Sequence, residues 1–140
     1  MAASEHLLAV VRGWIDKAEN DLRNAAITLR AGEECPTDTV AFHAQQCAEK
    51  YLKAYLAFRG TEFPRIHDIG ELIALAAGLR VPLPVEEQRR LTAYGTVTRY
   101  PGDYETVSLA EAKRAVAMAR RVRRAVRQNL PPEVLRRRKS

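Results

Sequence analysis

Apolar residues at positions 7, 11, 14, 15, 18, 22, 25 and 29 advance in steps of three and four, the spacing that gathers them on one side of an α-helix. Gly32 should end that helix, because glycine takes up the left-handed backbone just past a helix end without steric cost. Gly60 and Gly78 punctuate the chain in the same way, so three glycines close three helices. The second helix is expected to start near Thr37 or Asp38, either of which can accept from free first-turn amides. The third should start at Asp68, with Glu71 at capping-box spacing. A fourth runs from about Pro84, favoured by Glu86 and Glu87 near its positive end, and stops before Pro101. A fifth opens on the capping box Ser108-Leu-Ala-Glu111, buries Leu109, Ala112, Val116, Ala119, Val122 and Val126, and ends at Pro131-Pro132. No segment alternates with the period of two that a half-buried strand requires. With short connections throughout, the pattern predicts an all-α protein, an up-and-down bundle of four to five helices.

The second helix departs from a simple amphipathic pattern. Val40, Ala44, Cys47, Ala48, Tyr51, Ala54, Tyr55 and Phe58 form one apolar face, and Phe42, Leu52 and Leu56 form another. A helix apolar on two sides is expected at the centre of a bundle, or against a second subunit. Between the faces His43, Gln46, Lys50 and Lys53 recur at intervals of three, four and three, which stacks them in one polar strip. Taken singly, such a lysine lays its stem on apolar surface with its amine in water, and such a histidine is a hydrogen-bonded packing residue. Together they would line a groove.

Charge is distributed unevenly. The net value of +6 conceals a body, residues 1–112, with 12 Lys/Arg against 16 Asp/Glu, and an end, residues 113–140, with 11 against one. The basic end can attract a polyanion by counterion release, although "RRRKS" reads equally as a solvated tail. The boundaries expected are a helical bundle over residues 1–130 and a basic tail over 131–140. No run of about 18 apolar residues is available to cross a membrane, and the first residues lack a signal-peptide pattern, so a soluble cytoplasmic protein is expected. Cys35 and Cys47 have no CxxC or Cys/His spacing, which predicts neither a disulfide nor a metal site. No Gly-rich phosphate loop, paired-carboxylate site or Ser/His/Asp grouping points to kinase or hydrolase chemistry, and no cofactor is expected.

Two further stretches carry candidate chemistry. In "PRIHDIGEL", residues 64–72, Arg65 and His67 stand just before a helix start, where free amides favour an anion. In "TRYPGDYE", residues 98–105, Arg99 can grip a phosphate with two bonds, while Tyr100 or Tyr104 offers a base a face for stacking. That stretch reads equally as a helix-stop turn with a tyrosine packed beneath it.

"FHAQQCAEKYLKAYLAFRG", then "HDIGEL", then "RYPGDY", in this order and at these separations, resemble the HEPN domain, a helical-bundle family of prokaryotes and higher eukaryotes. The likeness spans about residues 14–128. It implies a four- or five-helix bundle, commonly a homodimer with its site in the cleft between subunits, and an RNA- or nucleotide-related role. It also implies a partner, because many small proteins of this kind act with a separately encoded minimal nucleotidyltransferase as a toxin–antitoxin pair. In the ribonucleases among them the active motif is Arg, four to six residues, then His. Here Arg99 is followed by Tyr-Pro-Gly-Asp-Tyr-Glu, Tyr104 occupies the histidine position, and no histidine follows. A tyrosine, with a reference pKa of about 10, is a poor base near neutrality.

The leading expectation is therefore a protein that binds a nucleotide or RNA and works with a nucleotidyltransferase. Lys50, Lys53 and Arg99 would hold phosphates, and Asp68 would cap its helix and orient His67; by resemblance of position Tyr104 is also a candidate for nucleotidylation. One alternative is a metal-independent endoribonuclease toxin that uses His67 as a displaced histidine. Another is a structural helical dimer whose face around Phe42 and Leu56 receives the nucleotidyltransferase.

Overall fold

A computed structural model describes residues 4–96 and 106–135, and those residues are helical without strands. The helices are α1 (Glu5–Leu29), α2 (Thr37–Phe58), α3 (Ile69–Leu75), α4 (Val85–Tyr94), α5 (Leu109–Gln128) and α6 (Pro132–Leu135), with a 3-10 turn at Gly32–Glu34. Gly32, Gly60 and Gly78 all adopt positive φ, at 65°, 69° and 85°, as left-handed stops require. Ser108 Oγ accepts from Glu111 N at 3.0 Å, and Asp68 Oδ1 accepts from Glu71 N at 2.9 Å, so both expected caps are present. Helix α2 starts at Thr37, as expected, and Asp38 Oδ1 accepts from the first-turn amide of Thr39 at 2.9 Å, but Thr37 does not cap it. Pro36 is its N-cap and makes no side-chain bond, while the Thr37 hydroxyl donates instead to Val107 O at 2.6 Å. A tertiary contact has taken the group that would have capped locally.

Contacts along the helices set the topology. Trp14 of α1 lies beside Lys53 of α2, and Asp21 beside His43 and Lys50, so α1 and α2 run antiparallel. Arg121 of α5 meets Glu87 of α4, and Glu111 meets Tyr94, which makes that pair antiparallel too. The bundle goes up and down, with its third rung divided between the short helices α3 and α4. After Pro131 the chain forms one more turn, α6, which buries Val134; the Arg12 guanidinium donates to Glu133 O at 2.7 Å and fastens α6 to α1.

Helix α2 is the axis of the molecule. Tyr51, Leu52, Ala54 and Leu56 are completely buried, as are Val40, Ala44, Cys47 and Ala48, because α1, α3, α4 and α5 all pack on it. Most of the first apolar face, and Leu52 and Leu56 of the second, are thus covered within one chain, while Phe42 is half-buried. Leu56 has no exposed surface, so it offers nothing to an incoming protein, and the face proposed around Phe42 and Leu56 is closed at Leu56.

Candidate functional site

The polar strip of α2 does not act as one unit. It divides between two carboxylates that periodicity does not single out. Asp21, on α1, takes one edge of the strip: its Oδ1 accepts from His43 Nδ1 at 2.7 Å and its Oδ2 from Lys50 Nζ at 2.6 Å. Glu49, on α2 itself, takes the other edge: it accepts from Lys53 Nζ at 3.0 Å and Gln45 Nε2 at 3.0 Å. Gln46 joins this second group by donating to Gln45 Oε1 at 2.7 Å.

The Glu49 cluster is almost completely withdrawn from water. Gln45, Glu49 and Lys53 are 0%, 4% and 6% exposed. A buried charge is tolerated when it is paired and hydrogen-bonded. Lys53 also has its ammonium 5.7 Å from the centroid of Trp14 and 6.0 Å from that of Phe63, two rings in edge contact with each other, so aromatic faces complete its surroundings. Lys53 is therefore committed inside the protein and does not face a phosphate from solvent, as the strip alone would suggest.

One member of the cluster reaches the surface. His67, in the link before α3, places Nδ1 3.3 Å from both oxygens of Glu49, and its side chain is 72% exposed. A carboxylate only accepts, so Nδ1 carries the proton and Nε2 is the imidazole's remaining nitrogen. The backbone holds the same place: Gln45 Nε2 also donates to His67 O at 3.3 Å. The sequence assigned the orientation of His67 to Asp68. The structure gives that task to Glu49 and Gln45, and Asp68 is spent on its cap. The amides of Ile69 and Glu71 at the start of α3 are bonded to Thr92 Oγ1 and Asp68 Oδ1, so the phosphate seat expected there is already filled by side chains. Arg65 is exposed, two residues before His67.

The end of α4 is built onto this cluster. A Cβ added to Gly95 would lie 2.4 Å from Gln45 Cδ, so any larger residue there would have to push the Gln45 carboxamide away from its bonds to Glu49 and His67 O. Gly95 is four residues before Arg99 in the chain, and Val107, three residues after Tyr104, is held by Thr37. Arg99, Tyr100 and Tyr104 themselves lie outside the described residues. Asp21, Gln45, Glu49 and Gly95 are the residues that the polar strip alone does not reveal. Gln45, Glu49 and Lys53 do share an i, i+4 row, the available signal, but Phe42, Leu52 and Leu56 on the same side mask it.

Elsewhere, Glu19 of α1 accepts two bonds from Arg123 at 2.8 and 2.9 Å, and Arg127 donates to Tyr51 Oη at 3.3 Å. Burial works against the charge of Glu19, but bonds from Arg123 and Tyr51 prevail and hold its carboxyl below the ordinary value. Burial raises the Cys47 thiol far above its usual range, with Glu19 and Asp21 adding to the effect, so the sulfur stays protonated. No group of His, Cys, Asp and Glu with the makings of a metal site occurs among the described residues.

The HEPN domain family model matches residues 11–129. The chain belongs to the HEPN domain family. A solved structure, the crystal structure of an archaeal HEPN homologue, superposes with a TM-score of 0.65 at 28% identity, covering 85% of this chain and 96% of that one. Among curated proteins, none matches. No described helix of this HEPN domain is long and apolar enough to cross a membrane.

Proposed function

We propose that this HEPN protein binds a nucleotide or RNA in a cleft, formed with a second copy of the chain, that opens at His67 and includes the Arg99 segment. The observation that supports this reading is the exposed imidazole of His67 anchored to the buried carboxylate of Glu49. A histidine held by a fixed acceptor from below presents its other nitrogen to whatever occupies the surface, with little orientational freedom left to lose on binding. Arg99, four residues beyond the Gly95–Gln45 contact, supplies the phosphate grip, and Tyr100 or Tyr104 the stacking surface. Lys53 acts indirectly, by neutralising Glu49. The nucleotidyltransferase remains the partner in this proposal, in a toxin–antitoxin-like pair.

Titration of the purified protein with labelled ATP and with a short RNA tests the reading. His67→Ala and Arg99→Ala should each weaken binding at least tenfold with melting temperature unchanged; undiminished binding in both variants removes the site. Co-purification of a nucleotidyltransferase with the tagged protein from its native host tests the partnership.

A second reading is favoured by one detail. With Nδ1 engaged by Glu49, Nε2 is positioned to take a proton from a ribose 2′-hydroxyl, the first step of metal-free RNA cleavage. RNA cut by the wild type and left intact by His67→Ala would replace binding by endoribonuclease activity. RNA left whole by the wild type ends this reading.

A further inference from the structure

Helix α5 carries seven cations between Lys113 and Gln128 and no carboxylate. Two of them are neutralised across helix contacts, Arg121 by Glu87 and Arg123 by Glu19. The rest include a row on one side. At 100° per residue, Lys113, Arg120, Arg124 and Arg127 fall within about 60° of one another, with the small exposed residue Ala117 in the same row. Lys113, Arg120 and Arg124 are exposed, and Arg127 is half-buried against Tyr51. Among the described residues none of the four has a carboxylate partner. Arg120, Arg123, Arg124, Arg127 and Gln128 together line a concavity of about 310 Å³.

An ordinary solvated helix face alternates charges of both signs three and four residues apart, because such pairs are favourable. This one does the opposite. Arg120 and Arg124, Arg123 and Arg127, and Arg124 and Arg127 are like-charge neighbours at those spacings, and each pair opposes the helix. Six of the seven cations are arginine, whose planar fork matches phosphate oxygens and which sheds water more readily than lysine. The row extends about 21 Å at 1.5 Å per residue, long enough to follow several phosphates of an extended strand. It stops at Arg127, where a second groove bordered by Asp16 and Glu19 begins.

We propose that the Lys113–Arg120–Arg124–Arg127 row of α5 is a track for a single nucleic-acid strand, held through its phosphates without regard to sequence. The surface is separate from the cleft proposed above. Tyr51, the α2 residue that Arg127 touches, projects about 200° around α2 from Glu49, on the opposite side from His67. The inference goes beyond that reading and does not depend on it.

The test measures binding of a labelled oligouridylate 12-mer and an oligothymidylate 12-mer to the full chain over a range of salt. The slope of log K against log salt should be near −2 to −3, since each cation on a single strand contributes about −0.7. Arg120→Gln/Arg124→Gln should make the slope shallower by about 1.4 and lower affinity at least tenfold for both oligomers. ATP binding should not change, and melting temperature should hold or rise as repulsion is relieved. His67→Ala should leave the slope as it is, so failure of the cleft and failure of the track are read separately. Binding and slope unaltered in the double variant overturn the proposal. So does polyglutamate bound as tightly as the oligomers and lost in the same variant, which would assign the row to an acidic protein.

Discussion

Asp21 and Glu49 gather the same kinds of partner, one histidine and one lysine each, yet they produce different surfaces. Asp21 joins two helices: its partners His43 and Lys50 both come from α2, and all three groups are mostly covered, with side chains 11%, 22% and 21% exposed. This arrangement is a clasp between α1 and α2. Glu49 pairs within its own helix with Lys53, and its histidine comes from a link in which the imidazole stands in solvent. The difference shows that composition does not decide what a carboxylate–histidine–lysine group does. The decisive factor is whether the histidine belongs to a packed helix or to a loop at the rim, and so whether any group is left for a ligand.

The largest expected effect comes from Glu49→Ala, which removes the one carboxylate paired with the Lys53 ammonium among the described residues. Breaking a buried pair in this way costs about 3–5 kcal/mol. Urea denaturation measures it, and Glu49→Leu combined with Lys53→Met should regain most of the loss. If the single variant loses less than half that amount, the Glu49 cluster is wetter than its burial indicates. Asp21→Ala should cost about 2 kcal/mol by the same measurement, because His43 and Lys50 can turn to water once released. Equal losses at the two carboxylates would mean that Asp21 and Glu49 are equally committed to the fold.

A third carboxylate, Glu19, responds to pH. Glu19 is held below the ordinary 4.5 by Arg123 and Tyr51 acting against its burial. A carboxyl depressed in the folded state contributes stability that is complete above its unfolded value and disappears as pH falls through the folded one. Glu19→Gln should therefore lower stability most at neutral pH and flatten the further loss below pH 4.5, the variant and the wild type converging in acid, as thermal melts at several pH values would show. The smallest effect is expected from His67→Ala, within about 0.5 kcal/mol, since the residue is mostly exposed. A large loss there would make His67 a structural residue like His43.

Much of the fold could be read from the chain because its signals are local. The three left-handed glycines, the caps at Asp68 and Ser108, and the stripe along α5 each depend on residues within one or two turns. The site was legible only in part. His43, Gln46, Lys50 and Lys53 were visible as a polar strip, but what divides them is Asp21, 22 to 29 residues away, together with Glu49, which sits on a side dominated by Phe42, Leu52 and Leu56. Tertiary partners of this kind leave no periodic trace. The same applies to Thr37, whose hydroxyl serves Val107 across 70 residues of chain and not its own helix end. Nothing local marks Gly95 as the place where α4 closes on the Gln45 side chain.

Both cysteines, Cys35 and Cys47, are sealed in the core. An alkylating reagent can reach Cys47 only when α1 or α5 lifts from α2, so its labelling rate would time how often the bundle opens. The chain thus contains its own stopwatch, one that a bound ligand or partner would be expected to slow.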